Sequence, residues 1–156
     1  MTTSGLRHLS ASLEDYLEAI LNLSAGEEVA RSKDIAVALN VARPSVTGAL
    51  KMLAKKDLIN YKPYGYVTLT PAGMAAAQKV ARKHDILKSF FSDVLGLDDA
   101  VAQDAACKAE HALESHIVRR LGDFSEFITR MSSGVNVAEQ FHRFLAGGRG
   151  RGAHNA

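Results

Sequence analysis

The stretch that decides the fold is Ser32-Lys33-Asp34-Ile35-Ala36-Val37-Ala38-Leu39-Asn40-Val41-Ala42-Arg43-Pro44-Ser45-Val46-Thr47-Gly48-Ala49-Leu50-Lys51-Met52-Leu53-Ala54-Lys55-Lys56. Ile35 and Leu39 recur one helical turn apart, and Val46, Leu50 and Leu53 repeat that spacing after the short connection Asn40-Val41-Ala42. The pattern predicts two amphipathic helices, 32–39 and 43–56, joined by a tight turn. Pro44 suits the first turn of the second helix, where a backbone N–H has no partner to lose. Beyond Lys56 the period changes. Residues 58–62 and 66–70 alternate and are rich in Ile, Tyr, Val and Thr, with Pro63-Tyr64-Gly65 as the turn between two strands. Helix, turn, helix and hairpin in that order form the winged helix-turn-helix pattern. In it, the second helix lies in the DNA major groove and the hairpin contacts backbone or minor groove.

Charge distribution supports this where total charge does not. The 156 residues carry 19 Lys+Arg against 17 Asp+Glu, a net of +2, too small by itself to announce nucleic acid. Yet between Arg43 and Lys62 five cations (Arg43, Lys51, Lys55, Lys56, Lys62) face one anion, Asp57. Arg43, Pro44, Ser45, Thr47 and Lys51 on the recognition helix, with Lys62, Tyr64 and Tyr66 in the wing, are the residues expected to face DNA. Ser and Thr contact phosphates or base edges, and Arg and Lys neutralise phosphate or read guanine. Gly48 lets the backbone approach the groove. The plain alternative is a packing unit with a solvated lysine face; the order of elements around the basic helix favours DNA. One such module reads one half-site, so a homodimer on a two-fold symmetric double-stranded operator is expected.

Working outward, Leu13, Tyr16, Leu17, Ile20 and Leu21 make one face of a helix over about 12–23, with Ser12 as N-cap and Asp15 three residues on. Downstream, Thr70-Pro71 opens a long helix to about Phe91. Leu95-Gly96-Leu97-Asp98 breaks it, and a further helix runs from Asp98 or Asp99 to roughly Glu114. Ile117 to Leu121 leads into Gly122-Asp123, read as an interruption, and shorter helices follow over Phe124–Met131 and Val137–Leu145. The expected fold is mainly α. A winged helix-turn-helix domain occupies 1–75, an all-helical metal-binding and dimerisation domain 76–146, and a flexible basic tail with Arg149 and Arg151 follows over 147–156.

Composition narrows the classes. At 47% hydrophobic and 23% charged residues the chain is globular rather than disordered. No apolar run approaches the roughly 20 residues of a membrane span, and Met1 to Ser10 lack the apolar stretch of a signal peptide. A cytoplasmic protein without membrane partners is the expectation. The lone cysteine, Cys107, excludes an internal disulfide framework. It leaves a buried core thiol, a reactive thiol or a metal ligand.

Spacing brings out the third option. Asp15 and Glu18 are i and i+3 on the first helix, so they share a face. Cys107, Glu110 and His111 share a face of a later helix, and His84 lies on the long helix between them. Carboxylate, thiolate and imidazole are ligands of divalent transition metals. Taken singly each has a plainer role: Asp15 favouring the helix dipole, Glu18 on a solvated face, Cys107 in the core, His84 on the surface. Asp104 reads as helix surface or a member of a second metal site, and His8, His116, His142 and His154 have no assigned role.

With these residues in place, the chain over about 9–145 resembles the diphtheria-toxin-repressor family of metal-dependent bacterial repressors. The resemblance rests on residues 13–20, LEDYLEAI, on Arg43-Pro44-Ser45-Val46-Thr47, and on residues 65–73, GYVTLTPAG. Arg82-Lys83-His84 and Ala106-Cys107-Lys108-Ala109-Glu110-His111 complete it. It implies metal ligands at Asp15, Glu18, His84, Glu110 and His111. The manganese-sensing branch has glutamate where this chain has Cys107. The iron-sensing branch has that cysteine, but methionine at Asp15, so the site is a hybrid. The iron branch's ancillary site wants an acid at Lys88 and a histidine at Gln103, and neither is present. The resemblance is to the two-domain form, without an SH3-like third domain. A mixed O, N and S donor set suits Fe²⁺, with Mn²⁺ a close second. The implied function is repression of metal-uptake genes, with metal bridging the two domains and selecting one spacing of the recognition helices. The rivals are a metal-independent winged-helix regulator and, further off, a metallohydrolase. For the latter the sequence offers no separate general base, oxyanion loop or phosphate cradle.

Overall fold

A computed structural model describes residues 9–25, 29–63, 65–131 and 136–148. The chain divides into two compact units, 1–81 and 82–156.

In the first unit, α1 (Ala11–Leu23) begins where Ser10, in extended backbone, accepts a hydrogen bond from the Leu13 N–H at 3.3 Å. Ser10 and not Ser12 is therefore the cap: Ser12 already lies within the helix, and a cap needs the extended backbone just before it. The next helix, α2 (Ser32–Leu39), ends at Asn40, which takes the left-handed conformation (φ 52°, ψ 48°) that Asn tolerates better than most residues. It is followed by α3 (Arg43–Lys55), with Pro44 in its first turn and Val46, Leu50 and Leu53 fully buried, as the spacing predicts.

The hairpin is β2 (Ile59–Tyr61) and β3 (Tyr66–Leu69), antiparallel, with Ile59 opposite Leu69 and Tyr61 opposite Val67. A third strand, β1 (Ala30–Arg31), was not foreseen. It pairs antiparallel on the other side of β3, with Arg31 opposite Tyr66, so the order is β1-β3-β2. The core joins Leu17 and Ile20 of α1, Ile35 of α2, the α3 stripe and Val67. Next comes α4 (Pro71–Ser89), capped by Thr70, whose hydroxyl accepts from the Gly73 N–H at 3.1 Å and donates to the Asp57 carbonyl at 2.7 Å. A Cβ on Gly73 would lie 1.8 Å from the Leu58 carbonyl oxygen, so only glycine lets α4 start this close to the hairpin. Ala77 belongs to this core, and the first compact unit runs to Ala81.

In the second unit the end of α4 passes into a π-helical turn, Phe90–Val94, and then turns at Gly96 (φ 71°). Three helices follow: α5 (Asp99–Ala112), α6 (Ser115–Met131) and α7 (Val137–Gly148). Leu87, Ala106 and Val118 form a small core, with Ile86, Phe91, Leu113 and Leu121 against it. Gly122 does not interrupt the chain as expected; it sits inside α6. A Cβ there would come within 3.3 Å of the Ile86 side chain, so this glycine serves close helix approach rather than a turn. The last helix extends through Gly147 and Gly148, which were expected to begin the tail, while residues 149–156 lie outside the described residues. Among the described residues no helix is long and apolar enough to cross a membrane.

Candidate functional site

Each unit carries one constellation of interest. In the first, Arg43, Pro44, Ser45 and Lys51 are exposed on α3, while Thr47 is half-buried and its hydroxyl donates to the Arg43 carbonyl at 3.3 Å. Lys62 is exposed at the end of β2, and Tyr64 lies outside the described residues. Between α3 and the wing lies a cleft of about 570 Å³, lined by Arg31, Lys33, Arg43, Thr47, Lys51 and Gly65 among others. Reading the sequence missed Arg31 and Lys33. They precede the basic stretch by ten residues or more, and only the pairing of β1 with β3 brings Arg31 to the wing. There its guanidinium lies 5.0 Å from the centre of the Tyr66 ring, and Nη2 donates to the Tyr66 hydroxyl at 3.3 Å.

Asp15 and Glu18 lie on α1 of this same unit, one helical turn apart on one face, both half-buried. Next to them, Tyr16 packs into the core, and burial raises its pKa above the ordinary value of 10.0.

In the second unit four sequence-derived residues meet. His84 comes from α4; Cys107, Glu110 and His111 come from α5. Nδ1 of His84 is 2.7 Å from Oε2 of Glu110 and 3.8 Å from Sγ of Cys107. Oε1 of Glu110 is 3.3 Å from Nε2 of His111. Glu110 is 1% exposed and His84 8%. A carboxylate withdrawn from water this far is costly unless its oxygens are satisfied, and here each faces an imidazole. His84 is thus not the surface histidine that its neighbours Lys83 and Asp85 suggest. Nor is Cys107 a core thiol, since it is exposed at the rim, with Gln103 Nε2 3.8 Å from its sulfur.

The donor set fits a divalent metal. Two ligands of one ion at metal–ligand distances of about 2.0–2.3 Å stand no more than about 4.6 Å apart, and the His84–Glu110, Glu110–His111 and His84–Cys107 separations of 2.7, 3.3 and 3.8 Å each lie within that reach. Lys88 pairs with Asp99 at 3.1 Å. Asp104 pairs with Lys108 at 2.6 Å on the surface of α5, which is its plainer reading.

Residues 8–67 match the iron-dependent repressor N-terminal DNA-binding domain, and residues 70–135 match the iron-dependent repressor metal-binding and dimerisation domain. The chain belongs to the diphtheria-toxin-repressor family. Among curated members it is 40% identical, over 119 residues, to an uncharacterised helix-turn-helix transcriptional regulator of Methanocaldococcus jannaschii; the match covers 76% of this chain and 95% of that one. It is 34% identical to the helix-turn-helix transcriptional regulator MntR of Bacillus pumilus, over 74% of this chain and 80% of the relative. Among solved structures, a manganese-dependent transcriptional repressor in complex with manganese superposes with a TM-score of 0.69 at 27% identity, covering 74% of this chain. The match spans about half of that repressor's length, 53%. Family members of this kind are transcriptional regulators with a winged helix-turn-helix domain followed by a helical one, the architecture seen here.

Proposed function

We propose that this repressor-family protein is a metal-dependent transcriptional repressor, not an enzyme, acting in the cytoplasm as a homodimer on a two-fold symmetric DNA operator. The observation that carries the reading is the convergence of His84, Cys107 and His111 around the buried Glu110 carboxylate, in a chain whose other unit bears a basic recognition helix. His84, Cys107, Glu110 and His111 hold the ion from the second unit, and Asp15 and Glu18 contribute from the first. The half-burial of both carboxylates on one face of α1 supports that role. A bound divalent cation supplies positive charge that ties anionic and neutral donors of separate elements together. Fe²⁺ is the favoured ion and Mn²⁺ the second, because one thiolate among oxygen and nitrogen donors tilts a hard site towards a softer metal.

The chain's own residues set the coupling. Without a metal, the two oxygens of Glu110 are taken up by the two imidazoles. An ion held by Asp15 and Glu18 as well would bias the position of α1, and with it the recognition helix packed on α1, towards the spacing that matches the operator. Linkage makes the effect reciprocal, so DNA tightens metal binding by the same factor. The regulated genes on this reading are those of metal uptake, silenced when metal is replete.

The test is DNA binding by the full chain under anaerobic conditions with and without Fe²⁺ or Mn²⁺, using duplexes selected from a random library. Tight binding only with metal is expected. Equal affinity in both conditions would establish the second reading, a metal-independent regulator. That reading draws its support from the His84–Glu110 pair, which is satisfied as it stands.

A further inference from the structure

The recognition helix and hairpin account for α3 and the wing, but not for the cations that reach the same cleft from the segment before α2. We propose that Arg31, held in place by Tyr66, is a phosphate-backbone contact, so that DNA is gripped between α3 and the wing by a residue outside both. The proposal rests on the DNA-binding reading above and deepens it.

Three observations carry it. Among the described residues the cleft is lined by four cations, Arg31, Lys33, Arg43 and Lys51, and by no carboxylate. Among the described residues none of the four forms an ion pair. Like charges gathered without a counter-charge oppose folding, and Arg31 and Lys33 flank the N-terminus of α2, where the helix dipole disfavours cations. A polyanion would supply the counter-charge that the described residues do not. Finally, Arg31 is oriented rather than loose. The β1–β3 register sets it opposite Tyr66, whose ring and hydroxyl both engage the guanidinium. A planar guanidinium held by one face keeps its outer N–H groups in the fork geometry that suits phosphate oxygens. Tyr66 is a positioning residue: it is 55% exposed and acts through Arg31.

The test uses the full-length, Mn²⁺-loaded protein and two fluorescent duplexes of about 30 base pairs with unrelated sequences, titrated across a salt series. Arg31→Ala is expected to weaken binding to both duplexes equally, roughly tenfold, and to lower the slope of log K against log salt by about 0.9, the loss of one phosphate contact. Arg31→Lys keeps the slope but binds more weakly. Tyr66→Phe retains most of the affinity. Tyr66→Ala loses affinity alone but not on top of Arg31→Ala, because the pair acts as a unit. Melting temperatures are measured alongside and should not change, since both side chains are exposed. An Arg31→Ala protein with wild-type affinity and slope, beside a weakened Lys51→Ala, overturns the proposal. Additive losses from Arg31→Ala and Tyr66→Ala overturn the positioning role. Displacement of DNA by inorganic phosphate beyond that by chloride at equal ionic strength overturns it in favour of a free-anion pocket. If the wild-type protein binds neither duplex, the DNA-binding reading itself fails.

Discussion

The Glu110 carboxylate and the His84 imidazole meet at 2.7 Å in a buried pair that joins α5 to the end of α4. Cys107 and His111, respectively three residues before and one after Glu110, stand on either side of it. The pair is thus both a structural tie between two helices and the centre of the proposed metal site, and the two roles can be separated by experiment.

Glu110→Ala removes the acceptor of a buried imidazole. Apo stability should fall by about 1–3 kcal/mol, the cost of leaving a buried polar group unsatisfied. The more telling readout is the rise in melting temperature on adding Mn²⁺, which a ligand selective for the folded state produces. The wild-type protein should show it and Glu110→Ala should not; an undiminished rise in the variant would remove Glu110 from the ligand set.

Cys107 is exposed, so Cys107→Ser should change stability by no more than about 0.5 kcal/mol. With Co²⁺ as a spectroscopic probe, the wild-type protein should show thiolate-to-cobalt charge-transfer absorption in the near ultraviolet, lost in Cys107→Ser. Absence of that band in the wild type would show that the sulfur is not a ligand.

Gly73 and Gly48 should respond to alanine in opposite ways. At Gly73 the new methyl group would collide with the Leu58 carbonyl oxygen, a backbone atom that cannot swing aside. A loss of about 3 kcal/mol or more is expected in urea denaturation. At Gly48 nothing lies within 4 Å and the site is in the middle of α3, so alanine should stabilise the fold by up to about 1 kcal/mol. The same methyl group on the DNA-facing helix should weaken duplex binding, and unchanged affinity would show that this turn of α3 stands off the DNA.

Tyr16 sets a limit on alkaline stability. Burial favours its neutral form, so its pKa in the folded chain lies above 10.0. The stabilisation is complete below pH 10 and is lost as pH rises through the higher folded-state value, because unfolding then releases a proton. Thermal melts from pH 8 upward should show a decline above pH 10 that Tyr16→Phe lessens; identical profiles would assign the decline to other groups.

How much was legible in the sequence depends on how local the signal is. The bounds of α2 and the buried stripe of α3 follow from apolar spacing within one helix, and both stand as read. The grouping of Cys107, Glu110 and His111 follows from the same periodicity. By contrast, the Gly122 interruption was misread because the signature of a turn and that of close helix packing are the same missing Cβ, and Ile86, which tells them apart, is far away in sequence. Ser12 fits a cap by residue type, as Ser10 does, and only backbone conformation separates them.

By itself, then, the sequence determined the helix-turn-helix and its hairpin, the faces those elements bury and the chemistry of the donor residues, since these depend on side-chain type and on contacts within a few residues. Only the tertiary structure decided that His84 is a buried partner of Glu110 and not a surface histidine. It alone showed that Cys107 stands at the rim of that pair, and that Arg31 belongs with the wing through a strand of two residues. The physical reason is common to all three. A short strand or a lone histidine carries no period, so its place is set by the element packed against it, tens of residues away.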